Sequence, residues 1–211
     1  MRNIPPADHE MEFTGGALAL DFANTIGGTH VAPTHDHLQG YRDLLHFAVR
    51  SGSLTATESR RLQARAAREP NRAEAVFELG LALREAVWSV FSALASGETT
   101  RERDLALISD AAAAGGARSR LFLDRHGAAW SVPPEADDLD RPLWAIGRSA
   151  VEVLTSSARD RLKECASDTC QWVFLDRSKN RSRRWCDMND CGNVAKVRRY
   201  RARSRAAAPS S

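Results

Sequence analysis

Four cysteines constrain this chain of 211 residues more than any other feature: Cys165, Cys170, Cys186 and Cys191, spaced C-x4-C-x15-C-x4-C and confined to its last quarter. In a secreted protein two disulfides would be the first reading, and the spacing leaves disulfides or free thiols as alternatives. In a reducing compartment, two spaced cysteine pairs more often hold zinc. The segment MRNIPPADHEMEF carries no apolar signal core, and no uninterrupted apolar run approaches the ~18 residues of a membrane span. A cytoplasmic location without a membrane partner follows as the expectation. The cysteines then read as ligands of one structural Zn²⁺, because four thiolates close the tetrahedral shell and leave no position for water.

Charge singles out the same region. Residues 1–158 hold 16 Lys/Arg against 21 Asp/Glu, whereas residues 159–211 hold 14 against 6. An acidic portion joined to a strongly basic, metal-stapled one is the footprint of a polyanion binder. Arginine outnumbers lysine 11 to 3 in the basic portion, and the guanidinium fork suits phosphate and guanine. The candidate nucleic-acid contacts are Lys179, Arg181, Arg183 and Arg184 between the cysteine pairs, and Lys196, Arg198, Arg199, Arg201, Arg203 and Arg205 after them.

Gln171–Asp176 is rich in β-favouring residues and ends at a polar stretch, which predicts a hairpin whose partner strand carries Trp185. After Cys191, Ala, Arg and Lys favour a helix to about Arg205, capped by Asn189 or Asp190. Arg198, Arg201 and Arg205 then share a face with Val194, while Val197 and Tyr200 turn towards Trp172 and Phe174. Together these elements describe a treble-clef-like finger standing apart from the helices before it. The segment from about Arg161 to Arg203 resembles the CGNR zinc finger in both cysteine pairs, the W-x-F-L-D strand, NRSRRWC and the basic tail. The signature arginine is Val194 here, with Lys196 or Arg198 as substitutes. Gly15–Gly28, GGALALDFANTIGG, is similar to the opening of the ABATE domain that precedes this finger. The resemblance implies a stress-induced transcription regulator.

The remaining sequence parses into an α+β, mainly helical domain with a small β-hairpin over 1–158, followed by the finger over 159–205 and a flexible tail over 206–211. ALALDFANTI is a strand or a short buried helix. Thr34 precedes a helix with apolar Leu38, Tyr41, Leu44, Leu45 and Val49 at helical spacing. Thr55-x-x-Glu58 is a capping box opening a second helix to about Arg68. A third, capped by Asn71, runs to Ser96. Thr99-x-x-Glu102 opens a fourth that stops at Gly115-Gly116. A hairpin turning at His126-Gly127 and a last helix over about 141–157 complete the domain.

Asp21 and Asn24 are the polar residues of a buried-looking segment and the candidate ligand-binding pair. His30, His35 and His37 lie beside the expected helix start, where neighbouring side chains diverge, and read as surface residues rather than a metal site. No nucleophile elbow, P-loop, dinucleotide turn or H-E-x-x-H motif is present, so a non-enzyme is expected. The function expected is a DNA-binding transcriptional regulator whose amino-terminal domain senses a small-molecule effector or mediates homodimer formation. An RNA-binding or ribosome-associated zinc protein is the alternative, with an amino-terminal enzyme third.

Overall fold

The computed structural model describes residues 4–125 and 127–206, with backbone alone at 124, 199, 200 and 202–206. Helices α1 (Leu18–Ala23), α2 (Tyr41–Arg50), α3 (Ala56–Arg68), α4 (Pro70–Ser96), α5 (Glu102–Arg118) and α6 (Arg141–Thr155) enclose one apolar core. The hairpins β1–β2 (Ile26–Gly28, Pro33–Asp36) and β3–β4 (Arg120–Asp124, Gly127–Ser131) lie outside it. A 3-10 turn then leads to β5 (Leu162–Glu164), β6 (Val173–Leu175) and α7 (Cys191–Ala206). All three strand pairs are antiparallel.

Helix α4 is the centre of this arrangement. Its 27 residues are long and apolar enough to cross a bilayer, but Val76, Phe77, Leu83, Val87, Val90 and Phe91 are buried among α1, α2, α3, α5 and α6. A long helix that is apolar around most of its circumference suits a central position of this kind. The capping box of Thr55 and Glu58 forms, with Glu58 N donating to Thr55 Oγ1 at 3.2 Å and Thr55 N to Glu58 at 2.7 Å.

Several expected boundaries move, each for a packing reason. ALALDFANTI divides into helix α1 and strand β1. Thr34 lies inside strand β2, and the helix begins at Tyr41, because β1 offers Gly27 and Gly28 as backbone partners for His35 and Pro33. Helix α4 starts at Pro70 without a cap from Asn71, and α5 starts at Glu102 without one from Thr99. Gly115 and Gly116 do not stop α5. A Cβ on Gly115 would lie 2.7 Å from Trp144 Cβ, and one on Gly147 would lie 2.6 Å from Ala112 N. The glycines let α5 and α6 approach closely, which propensity alone cannot show.

The finger shares the main core rather than hanging beside it. Leu162, Val173 and Leu175 are buried with Phe22, Val87 and Ile146 in one apolar cluster. Trp172 Nε1 donates to Ile26 O at 2.7 Å, Trp88 Nε1 to Gln171 O at 2.9 Å and Leu175 N to Gly15 O at 2.8 Å. Asn24 belongs to this seam. Its amide donates to Val173 O at 3.0 Å and accepts from Val173 N at 3.0 Å, so the side chain pairs with β6 as a strand residue would.

Asp21 accepts from Gly15 N at 2.7 Å. Burial pushes its carboxyl from the ordinary 3.8 up to about 6, with the Gly15 bond opposing. A carboxyl raised in the native state keeps its proton where the unfolded chain has lost it, so its contribution to stability falls as pH rises from about 4 to about 6. Asp21→Asn should therefore gain stability relative to the parent across that window, by on the order of 1–3 kcal/mol, and hold the gain above it. His37, held down to about 4 by burial, titrates nearby in the opposite sense but is common to both proteins. Urea unfolding of the pair at pH 4, 5, 6 and 8 measures the difference. A constant difference would refute this assignment.

Candidate metal centre

The first cysteine pair occupies the connection between β5 and β6, so the hairpin turn is itself the knuckle. Cys165 N donates to Trp172 O at 2.9 Å and Cys170 N to Ser167 O at 3.0 Å. The strand partner of Val173–Leu175 is therefore Leu162–Glu164, not the Trp185 segment expected from the sequence. A loop replaces that expected strand because its backbone is held by side chains. Asp176, fully buried, accepts from Lys163 Nζ at 2.6 Å, Ser178 N at 2.9 Å and Arg183 N at 3.0 Å. Lys163 also donates to the carbonyls of Arg181 and Arg183. Burial opposes ionisation of Asp176, yet the hydrogen bonds from Lys163 and Ser178 hold its carboxyl well below the usual range. The sequence marks this carboxylate only as a lone acid closing an apolar strand.

The loop returns the chain to the first pair. Ala166 N donates to Arg184 O at 2.9 Å, which brings Cys186 beside Cys165 and Cys170. Asp187 then accepts from Asn189 N at 2.6 Å and Asp190 N at 3.3 Å. It closes the turn before α7, a role expected of Asn189 or Asp190. Cys191 is the first residue of that helix.

The four sulfurs lie within 4.8 Å of one another, with Cys170–Cys186 and Cys186–Cys191 separations of 3.7 Å. A disulfide needs about 2.05 Å, so these are four free thiols. Zn–S bonds of about 2.3 Å give a tetrahedron with edges of about 3.8 Å, which the observed separations match. Electrostatics points the same way. Hydrogen bonds from Cys170 and Cys186 drive the Cys165 thiol well below its ordinary range. The hydrogen bond to Cys165 drives Cys170 and Cys186 up, and burial does so for Cys191. Left to themselves the four cannot all ionise; a divalent cation at their centre allows it. The site fits one structural zinc ion.

The profile of the CGNR zinc finger matches residues 161–204. That of the ABATE domain, described as "Putative stress-induced transcription regulator", matches residues 16–157. The chain belongs to the ABATE family. No curated protein matches it as a relative. Neither description names an enzymatic activity.

Around the CGNR finger the expected basic residues divide by surroundings. Lys179, Arg181, Arg184, Lys196, Arg198 and Arg201 are exposed. Arg183 instead faces inwards. Its guanidinium stacks 4.4 Å from the Phe174 ring centre and donates to the carbonyls of Trp185, Cys186 and Thr14. It fastens the loop to the segment that leads into the ABATE domain. The side chains of Arg199, Tyr200, Arg203 and Arg205 lie outside the described residues. Val197 is 40% exposed and Val194 41%, so Val197 does not pack under the hairpin as expected. Of the candidate ligand pair, Asn24 has both amide atoms bound to the backbone of Val173, and Asp21 Oδ1 accepts from Gly15 N.

Proposed function

We propose that this ABATE–CGNR chain is a DNA-binding transcriptional regulator whose finger grips the duplex backbone. The observation that carries the reading is the concentration of exposed arginine and lysine on two segments fixed by one cysteine cluster. Arg184 lies two residues before Cys186, while Arg198 and Arg201 lie on the helix that Cys191 begins. Val194, Arg198 and Arg201 are spaced to share one face of α7. The net negative domain preceding the finger makes a poor phosphate surface, which supports a division of labour between contact and regulation. A cleft of about 430 Å³ beside α5 and α6, lined by Trp130, Trp144 and Arg148, supports effector binding by the ABATE domain. Its size is that of a small-molecule site.

Contacts of this kind go mainly to phosphate and position the protein without reading sequence. Affinity for a mixed-sequence DNA duplex should fall steeply with salt, the slope having a magnitude of about 0.9 per phosphate neutralised. Changing Arg198 and Arg201 together to alanine should flatten that slope by roughly 2 and leave the zinc in place. Fluorescence anisotropy across a salt titration, with an RNA duplex of equal length as competitor, provides the measurement. An unchanged slope in the double variant would remove α7 as the contact surface, and tighter binding of the RNA would reassign the partner.

A further inference from the structure

We propose that His9, His35 and His37 form a second metal site, which binds one divalent transition cation of the zinc class through three imidazole nitrogens. The three rings cluster at the edge of the β1–β2 hairpin, with centroid separations of 4.6 Å, 5.0 Å and 5.5 Å. Their planes are nearly perpendicular, at 80°, 83° and 87°. One ring nitrogen from each lies within 4.8 Å of the other two. Zn–N bonds of about 2.0–2.1 Å need nitrogen separations of about 3.4 Å, so a bound ion would draw the three nitrogens closer together.

The backbone assembles this cluster from two distant segments. His35 and His37 are two residues apart along an extended strand end, the spacing that returns side chains to one face. Residues 5–7 run beside β2, where Asp36 N donates to Pro5 O at 2.9 Å and Ala7 N donates to Asp36 O at 3.2 Å. His9 is thereby laid over the pair. Beyond it the chain is pinned by the Glu10–Arg50 ion pair at 2.8 Å and by buried Met11. The seat of His35 is reserved by Gly27, its cross-strand partner: a Cβ there would lie 2.0 Å from His35 Cε1.

The hydrogen bonds around the rings give a second, independent indication. His9 Nδ1 lies 3.1 Å from the Asp8 carboxylate, and His35 Nδ1 lies 3.1 Å from Thr34 Oγ1. A histidine ligand typically engages its second nitrogen with an oxygen in this way, which fixes the ring and directs the free nitrogen at the metal. The free nitrogen of His35, Nε2, is a buried polar atom without a hydrogen-bond partner. Buried polar atoms nearly always have partners, and a bound ion accounts for one that has none. His9 and His35 also line a cleft of about 440 Å³ that reaches Cys170, Cys191 and Asp190. A cation held by three protein ligands retains a further coordination position for water or an anion. Three imidazoles suit Zn²⁺, Co²⁺, Ni²⁺ and Cu²⁺ rather than the oxygen-preferring Mg²⁺ or Ca²⁺.

His30, grouped with His35 and His37 in the sequence, lies elsewhere: it stacks on Trp88 with ring centres 3.6 Å apart and pairs with Glu85.

The test uses the full chain without an affinity tag, saturated with zinc and then desalted, and counts zinc by mass spectrometry. Two zinc ions per chain are expected, falling to one in His9→Ala and in His35→Ala. His9 is exposed, so His9→Ala should keep the parent's fold and melting temperature in the absence of added metal. Titration of Co²⁺ into protein whose cysteine site is already filled separates the two sites. The added ion should give visible d–d bands without thiolate charge transfer, and its affinity should fall at least tenfold in His9→Ala. One zinc per chain in the parent, or an affinity unchanged by His9→Ala, would overturn the proposal.

Discussion

Cys186→Ser is expected to abolish the thiolate-to-metal charge transfer of the cobalt-substituted protein and to lower the melting temperature by about 10 °C or more. Structural zinc contributes roughly 10–16 kcal/mol of apparent binding free energy in isolated fingers. Several kcal/mol lost from a chain of this length corresponds to a shift of that size. The finger has little else of its own: a small cluster of Phe174, Trp172 and Trp185 surrounds the four cysteines. A lone strand pair is marginal in water. Here the damage should spread, because Leu162, Val173 and Leu175 belong to the main core. Loosening β5 and β6 would expose that core beneath α1 and α4, so the amino-terminal helices should lose stability as well. Near-ultraviolet circular dichroism and calorimetry of parent and variant decide the matter. A variant that keeps the charge-transfer band and melts within 2–3 °C of the parent, a change of about 1 kcal/mol at most, would show that Cys186 is not a ligand.

Arg84→Ala should cost about 3–5 kcal/mol, as expected when one partner of a buried ion pair is removed. Arg84 is 4% exposed and binds both oxygens of buried Asp36, at 2.6 Å and 2.7 Å, and Thr25 Oγ1 at 3.2 Å. The fork ties central helix α4 to strand β2, and Asp36 Oδ1 also receives Leu38 N at 2.8 Å. Without the guanidinium, Asp36 would be left as an unpaired charge away from water. Combining Arg84→Met with Asp36→Asn should recover much of the loss, since the amide oxygen still accepts from Leu38 while no charge remains buried. Denaturant titrations of the zinc-loaded proteins test the contrast. Equal losses in Arg84→Ala and the double variant would mean that packing, not the uncompensated carboxylate, dominates.

Neither residue of this pair stood out in the sequence. Arg84 lies 48 positions from Asp36, on a helix whose apolar pattern marks its neighbours as core, and a single arginine there reads as a solvated side chain. The finger was more legible because its information is local: a fixed cysteine spacing, an apolar strand and a basic helix within some 45 residues. Even there the strand partner is Leu162–Glu164 rather than the expected Trp185 segment. Three residues on each side suffice for β5–β6, and the residues of β5 carry no alternation that sets them apart from the turn before them.

The sequence by itself determined which four cysteines gather, that most of the long helices exist and which quarter of the chain carries the positive charge. Those properties follow from spacing, periodicity and composition, which act over short distances along the chain. Tertiary structure alone decided that Asn24 pairs with β6 and that Arg183 turns inwards. It likewise decided that two glycines close a helix contact and that His9 meets His35 and His37. Each depends on segments 26 to 169 residues apart, or on the space left when two elements meet. Burial and hydrogen-bond satisfaction choose among such encounters, and both exist only once the chain has closed on itself.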